Sequence, residues 1–90
     1  MRKLIFTAAT LLIAGAAFAT SSAQAASPYF CNLYAQQAVW AESANLAEGC
    51  GLSGPRWSFD FAGHYSWCLA VTKSMANSER LARKWSLISC

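Results

Sequence analysis

Four cysteines, Cys31, Cys50, Cys68 and Cys90, are spread through a stretch too short to rely on an apolar core alone. They follow a segment ordered like a secretory leader. Arg2 and Lys3 open it, Leu4 to Ala19 is apolar, Thr20-Ser21-Ser22 is polar, and Ala23-Gln24-Ala25 presents small residues for cleavage. The apolar run falls short of the ~20 residues that span a bilayer comfortably. Tyr29-Phe30 ahead of Cys31 is unlike a lipoprotein processing site, so no lipid anchor is expected. Residues 1–25 are read as a signal peptide and 26–90 as one exported domain, periplasmic or secreted. Domains of this size bury a limited core and usually need disulfides or metals. An oxidising compartment supplies the first of these.

Charge narrows the partners. The whole chain carries +3. Beyond residue 25, Arg56, Lys73, Arg80, Arg83 and Lys84 stand against Glu42, Glu48, Asp60 and Glu79, leaving +1. That is too little to imply nucleic acid or an anionic membrane as a partner. The chain has no repeat, low-complexity tract or linker.

Ser27-Pro28 predicts a helix start, with serine as cap and proline in the first turn. Helix formers continue to Leu46-Ala47-Glu48, and Gly49 and Gly51 flank Cys50 and end the segment. Cys31, Tyr34, Ala35, Ala38, Glu42, Asn45 and Leu46 share one face. Residues 51–58 read as a loop, punctuated by Gly54-Pro55, and Ser58 or Asp60 can cap the next helix. From His64 to Cys90 there is no glycine or proline, which allows one long helical segment. Phe61, His64, Tyr65, Cys68, Thr72 and Met75 share its first face. The apolar phase shifts near Ala76-Asn77-Ser78 to Leu81, Trp85 and Ile88, which predicts a bend or a separate last helix capped by Asn77 or Ser78. The expected fold is all-α: a disulfide-stapled helical hairpin with a bent or separate third helix.

Four cysteines allow three pairings. Cys31 and Cys50 are 19 residues apart and Cys68 and Cys90 are 22 apart, about 28 and 33 Å of helix. An antiparallel hairpin then favours the nested pairs Cys50–Cys68 and Cys31–Cys90. The crossed pairs, Cys31–Cys68 and Cys50–Cys90, need parallel helices, which a connection of about ten residues barely permits at ~3.3 Å per residue. The sequential pairs would bridge opposite ends of one helix.

The pattern Cys31…Tyr34-Ala35…Ala38-Val39…Asn45…Cys50-Gly51…Gly54…Trp57-Ser58…Asp60…His64…Trp67-Cys68…Arg80…Leu87…Cys90 resembles small secreted four-cysteine proteins of proteobacteria. The resemblance spans nearly all of residues 26–90. It implies export and a shared scaffold, and it carries no catalytic role.

His64 is the one histidine, and Cys68 follows it by one helical turn. Zinc sites show four close ligands; with the thiols consumed in bridges, no metal or other cofactor is expected. The stretch from Cys50-Gly51 to His64-Tyr65 invites comparison with secreted phospholipases, but no carboxylate sits beside His64, and a calcium site needs several oxygens. His64 is therefore read as structural, bracing the loop with Asp60 or Trp57. Glu42 and Asn45, polar on an inward face, are read as a hydrogen-bond cluster, with Lys73 near Asn45 in the nested register. Trp40 points away from the Cys31 face, and Trp67 and Trp85 share a side of a straight helix. Exposed aromatic area marks interaction sites. Trp40, Arg56, Trp57 and Trp67 are the candidate contact residues, and Trp85 is assigned to the core.

The functional expectation is a non-enzymatic exported protein that binds an envelope or exported macromolecule through an aromatic surface, as a periplasmic accessory or inhibitor protein would. The rival readings are a minimal secreted hydrolase using His64 and a membrane-active protein using the basic helix of Arg80, Arg83 and Lys84.

Overall fold

The computed structural model describes residues 25–90; the signal-peptide assignment, apart from Ala25, lies outside the described residues. Three helices form the domain: α1 (Pro28–Ala47), α2 (Phe61–Leu69) and α3 (Lys73–Ser89). Among the described residues no helix is long and apolar enough to cross a membrane.

Helix α1 starts as its sequence predicts. The Ser27 hydroxyl accepts from the Phe30 amide at 3.1 Å, and Pro28 occupies the first turn. Its end is a Schellman motif. Gly49 adopts φ +66°, its amide donates to Leu46 O, and the Cys50 amide donates to Asn45 O. A left-handed residue here suits glycine, because a Cβ is penalised in that region. The motif fixes the position of Cys50.

Asp60, rather than Ser58, caps α2 and accepts from the Gly63 amide at 3.0 Å. A Cβ on Gly63 would lie 2.5 Å from the Asp60 carboxylate, so a glycine in the first turn keeps this cap in place. Helix α2 then stops after nine residues. Val71 and Thr72 intervene; Thr72 is extended, bridges Ala25, and caps α3 by accepting from the Met75 amide.

The separate third helix is present, but it begins at a Thr72 cap rather than at the expected Asn77 or Ser78. The β-branched pair Val71-Thr72 and a threonine cap end a helix without glycine or proline. The disulfide pairing follows from this break. Cys31 is joined to Cys68 and Cys50 to Cys90, the crossed set, and the nested pairs Cys31–Cys90 and Cys50–Cys68 are overturned. The short α2 runs back along α1, returning the chain to the start of α1. Helix α3 then runs parallel to α1, with Lys73 over the Phe30 ring at one end and Cys90 at Cys50 at the other. The return that a bare connection barely permits is made by loop and α2 together.

Helix α1 packs against both other helices. Its buried face is Cys31, Tyr34, Ala35, Ala38, Ala41 and Asn45. Alanines at this spacing let helix backbones approach closely, and Ala76 meets them from α3. The core cluster is Ala26, Cys31, Tyr34, Cys68 and Ala76, flanked by Phe30, Tyr65 and Val71. Large apolar residues of α3 point outward instead. Met75, Leu81, Trp85 and Ile88 are exposed, Trp85 at 61%, which corrects its assignment to the core.

Candidate functional site

Arg83 lies between the two surface depressions, and sequence reasoning passed over it as one charge of a basic helix. It lies on the inner face of α3, seven residues after Ala76, and is 4% exposed. Its Nη2 donates to the Tyr34 hydroxyl at 2.9 Å and its Nε to the Arg56 carbonyl at 3.1 Å. Its guanidinium also sits 4.9 Å from the centre of the Tyr34 ring, a cation–π contact. Burial raises the Tyr34 pKa above its ordinary value, and the Arg83 hydrogen bond and charge pull part of that back. Nη1 of Arg83 is buried without a partner. The signal for Arg83 was its spacing: residues 76, 79/80, 83 and 87 follow helical periodicity as regularly as the apolar stripe does.

Arg83 borders two depressions. The first, about 320 Å³, lies between the 55–60 loop, the start of α2 and α3. Arg56 and Trp67 meet here with Asp60, His64, Tyr34 and Glu79. Trp67 stacks on Tyr34 with ring centres 5.6 Å apart. Arg56 is held by Glu79 through a two-pronged ion pair, its Nη2 3.1 Å from Oε1. His64 is buried, and its Nε2 lies 3.0 Å from the Ser58 carbonyl and 3.3 Å from the Ser58 hydroxyl. A carbonyl only accepts, so Nε2 carries the proton and donates. Asp60 Oδ1 accepts the capping bond from the Gly63 amide. These bonds hold the 55–60 loop against α2, and the partner of His64 is Ser58 rather than the expected Asp60 or Trp57. Trp57 is 8% exposed; its expected role as a contact residue is corrected, since a turn closed by the Trp57 amide on Gly54 O tucks the indole inside.

The polar pair on α1 forms a loop clamp. Asn45 Nδ2 donates to Leu52 O at 2.7 Å and to Glu42 at 2.9 Å, and its Oδ1 accepts from the Leu52 amide at 3.0 Å. The hydrogen-bond cluster is present, but its outside partner is Leu52; Lys73 stands over Phe30 at the other end of α1. Among the described residues one trio of potential metal ligands is close together, Glu48 with Cys50 and Cys90, and both sulfurs are consumed in a disulfide.

The second depression is a groove of about 510 Å³ between α1 and α3. Gln37, Trp40 and Ala41 line one side; Leu81, Leu87 and Ile88 line the other, with Arg80, Arg83 and Lys84. Trp40 is 68% exposed and Ile88 61%, so its walls stand in water. Trp40 is its one aromatic, and the rest of the apolar lining is aliphatic. The four expected contact residues thus separate. Trp40 belongs to this groove, Arg56 and Trp67 to the polar cleft, and Trp57 to the interior.

No protein-family model matches the chain, and neither a curated protein nor a solved structure is significantly similar to it.

Proposed function

We propose that this is an exported, non-enzymatic protein that binds another protein through the groove between α1 and α3. The observation that carries the reading is the apolar wall of Trp40, Leu81 and Ile88 left in water beside a floor of alanine. Apolar area held out by a rigid, cross-linked frame marks interaction sites, and tryptophan is enriched among residues that dominate binding energy. Export rests on the leader-like start and on two disulfides. The accessory or inhibitor role is the form of this reading that fits a small, cross-linked domain.

The test compares the oxidised 26–90 domain with Trp40→Ala and, as a control outside the groove, Tyr29→Ala, since Tyr29 is also exposed. Cross-linking in envelope and culture fractions should give a species common to the parent and Tyr29→Ala and lost with Trp40→Ala. About a third of Trp40 is buried, so its truncation should cost only about 1–2 kcal/mol of stability, against about 3–5 kcal/mol for a tryptophan in a core. Identical cross-linking by all three proteins would overturn the reading.

A further inference from the structure

The charges in the groove between α1 and α3 lack counterions. Arg80 Nη1 donates to the neutral Gln37 Oε1 at 2.9 Å. Arg83 bonds a phenol and a carbonyl, both neutral. Among the described residues, the buried side-chain nitrogens without hydrogen-bond partners are Arg80 Nε and Arg83 Nη1; Arg80 lines this groove, and Arg83 lines both depressions. Lys84 follows Arg80 by one turn on the same side, and no carboxylate lines the site. Among the described residues the one ion pair is Arg56–Glu79, on the other side of Arg83. Arg80 and Lys84 thus flank an apolar trough with no carboxylate among its lining residues.

Resting on the protein-binding reading above, we infer that the groove takes an acidic amphipathic helix of a partner protein. Its apolar residues would lie against Trp40, Leu81, Leu87 and Ile88, and carboxylates one turn apart would meet Arg80 and Lys84. The groove is walled by α1 on one side and by α3, parallel to it, on the other, the shape that receives a third helix. Arg80 and Lys84 are four residues apart, about 6 Å along the axis, which matches acidic residues at i and i+4 of the incoming helix. An anionic membrane fits less well. A surface-lying helix offers a convex apolar face with cations free to reach headgroups, whereas Arg80 here is tied back to Gln37 across the groove. A small anionic ligand would find walls too exposed to enclose it.

The experiment uses two dye-labelled Ala-based peptides of about four turns, identical in an i, i+4, i+7 leucine stripe. One carries glutamates flanking the stripe and the other carries lysines. Anisotropy titrations with the oxidised 26–90 domain should show the glutamate peptide binding at least tenfold more tightly. That preference should shrink as salt rises, and Arg80→Glu/Lys84→Glu should reverse it. Lys84→Glu alone, at an exposed position, should halve the preference or more and serves if the double variant does not fold. Equal binding of both peptides, weakened by Trp40→Ala, would overturn the charge inference and leave the apolar groove standing. Binding of neither peptide would overturn the helix inference, while the Trp40→Ala cross-linking result judges the broader reading separately. Tighter binding to anionic phospholipid vesicles than to the glutamate peptide, lost in Lys84→Glu, would replace the protein partner with a membrane.

Discussion

Asn45→Ala should destabilise the domain by about 3 kcal/mol. The side chain makes three hydrogen bonds, two of them to the Leu52 backbone and one to Glu42. Each neutral bond is worth about 1 kcal/mol net, a bond to a charged group about 1.5–3, and Leu52 groups left unpaired add to the loss. Alanine's better helix propensity returns about 0.5 kcal/mol. Asn45→Asp tests the same clamp through charge. The new carboxyl would face the Leu52 carbonyl and Glu42 where an amide now donates, and both raise its folded pKa. An acid whose pKa is raised by folding contributes its stability below its unfolded value, near 3.9, and loses it as pH rises through the folded value. Relative to the parent, Asn45→Asp should therefore weaken progressively as pH climbs from about 4 toward neutrality. Urea unfolding of the disulfide-intact protein, followed by circular dichroism across that range, reads both effects, with the slope m held constant. An Asn45→Ala midpoint within about 1 kcal/mol of the parent, or an Asn45→Asp deficit flat in pH, would refute the clamp.

Non-reducing peptide mapping of the oxidised protein should recover Cys31–Cys68 and Cys50–Cys90, and recovery of Cys31–Cys90 would refute the parallel arrangement of α1 and α3. The two bridges close loops of 37 and 40 residues, each worth about 4 kcal/mol in the chain-entropy model, so removing either pair with serines should lower stability by similar amounts in the same urea assay. Tyr34 titrates above its ordinary value because it is buried. A raised folded pKa leaves its stabilisation intact below about pH 10 and removes it as pH rises through the folded value. Ultraviolet difference titration should show one tyrosine ionising later than the others, and Tyr34→Phe should abolish that late step; three tyrosines titrating together would contradict it.

The start and end of α1 were legible because each is fixed locally, Ser27-Pro28 by capping and Gly49 by a left-handed turn. The inward face of α1 was legible at Cys31, Tyr34, Ala35, Ala38 and Asn45, but Ala41 was missed, Glu42 is half-buried and Leu46 is exposed. The end of α2 was not, since Val71-Thr72 breaks the helix through a hydroxyl cap and an extended residue, neither of which has the strong signature of glycine or proline. That one error reversed the direction of α3 and with it the disulfide pairing. The groove was half legible: Trp40 was singled out for pointing away from the cysteine face, but its neighbours Leu81, Leu87 and Ile88 on α3 were not joined to it. Periodicity shows which residues share a face and leaves open which face turns inward.

The buried positions of α1 and α3 are mostly small: Ala35, Ala38, Ala41 and Ala76 are buried, while Leu81, Trp85 and Ile88 are exposed. A core this thin holds because two bridges of about 4 kcal/mol each replace the burial that large side chains would otherwise supply. Covalent closure thereby frees those side chains for the surface, and Arg83 occupies the inner position that one of them would have filled. Arg83 also separates the neutralised charges of the polar cleft, where Arg56 meets Glu79, from the unneutralised charges of the groove, where Arg80 meets only Gln37. In the cleft the Arg56 charge is paired within the protein. The groove is unsatisfied in both apolar area and charge, and a partner that supplies a carboxylate without an apolar face, or the reverse, would leave one of those two deficits in place.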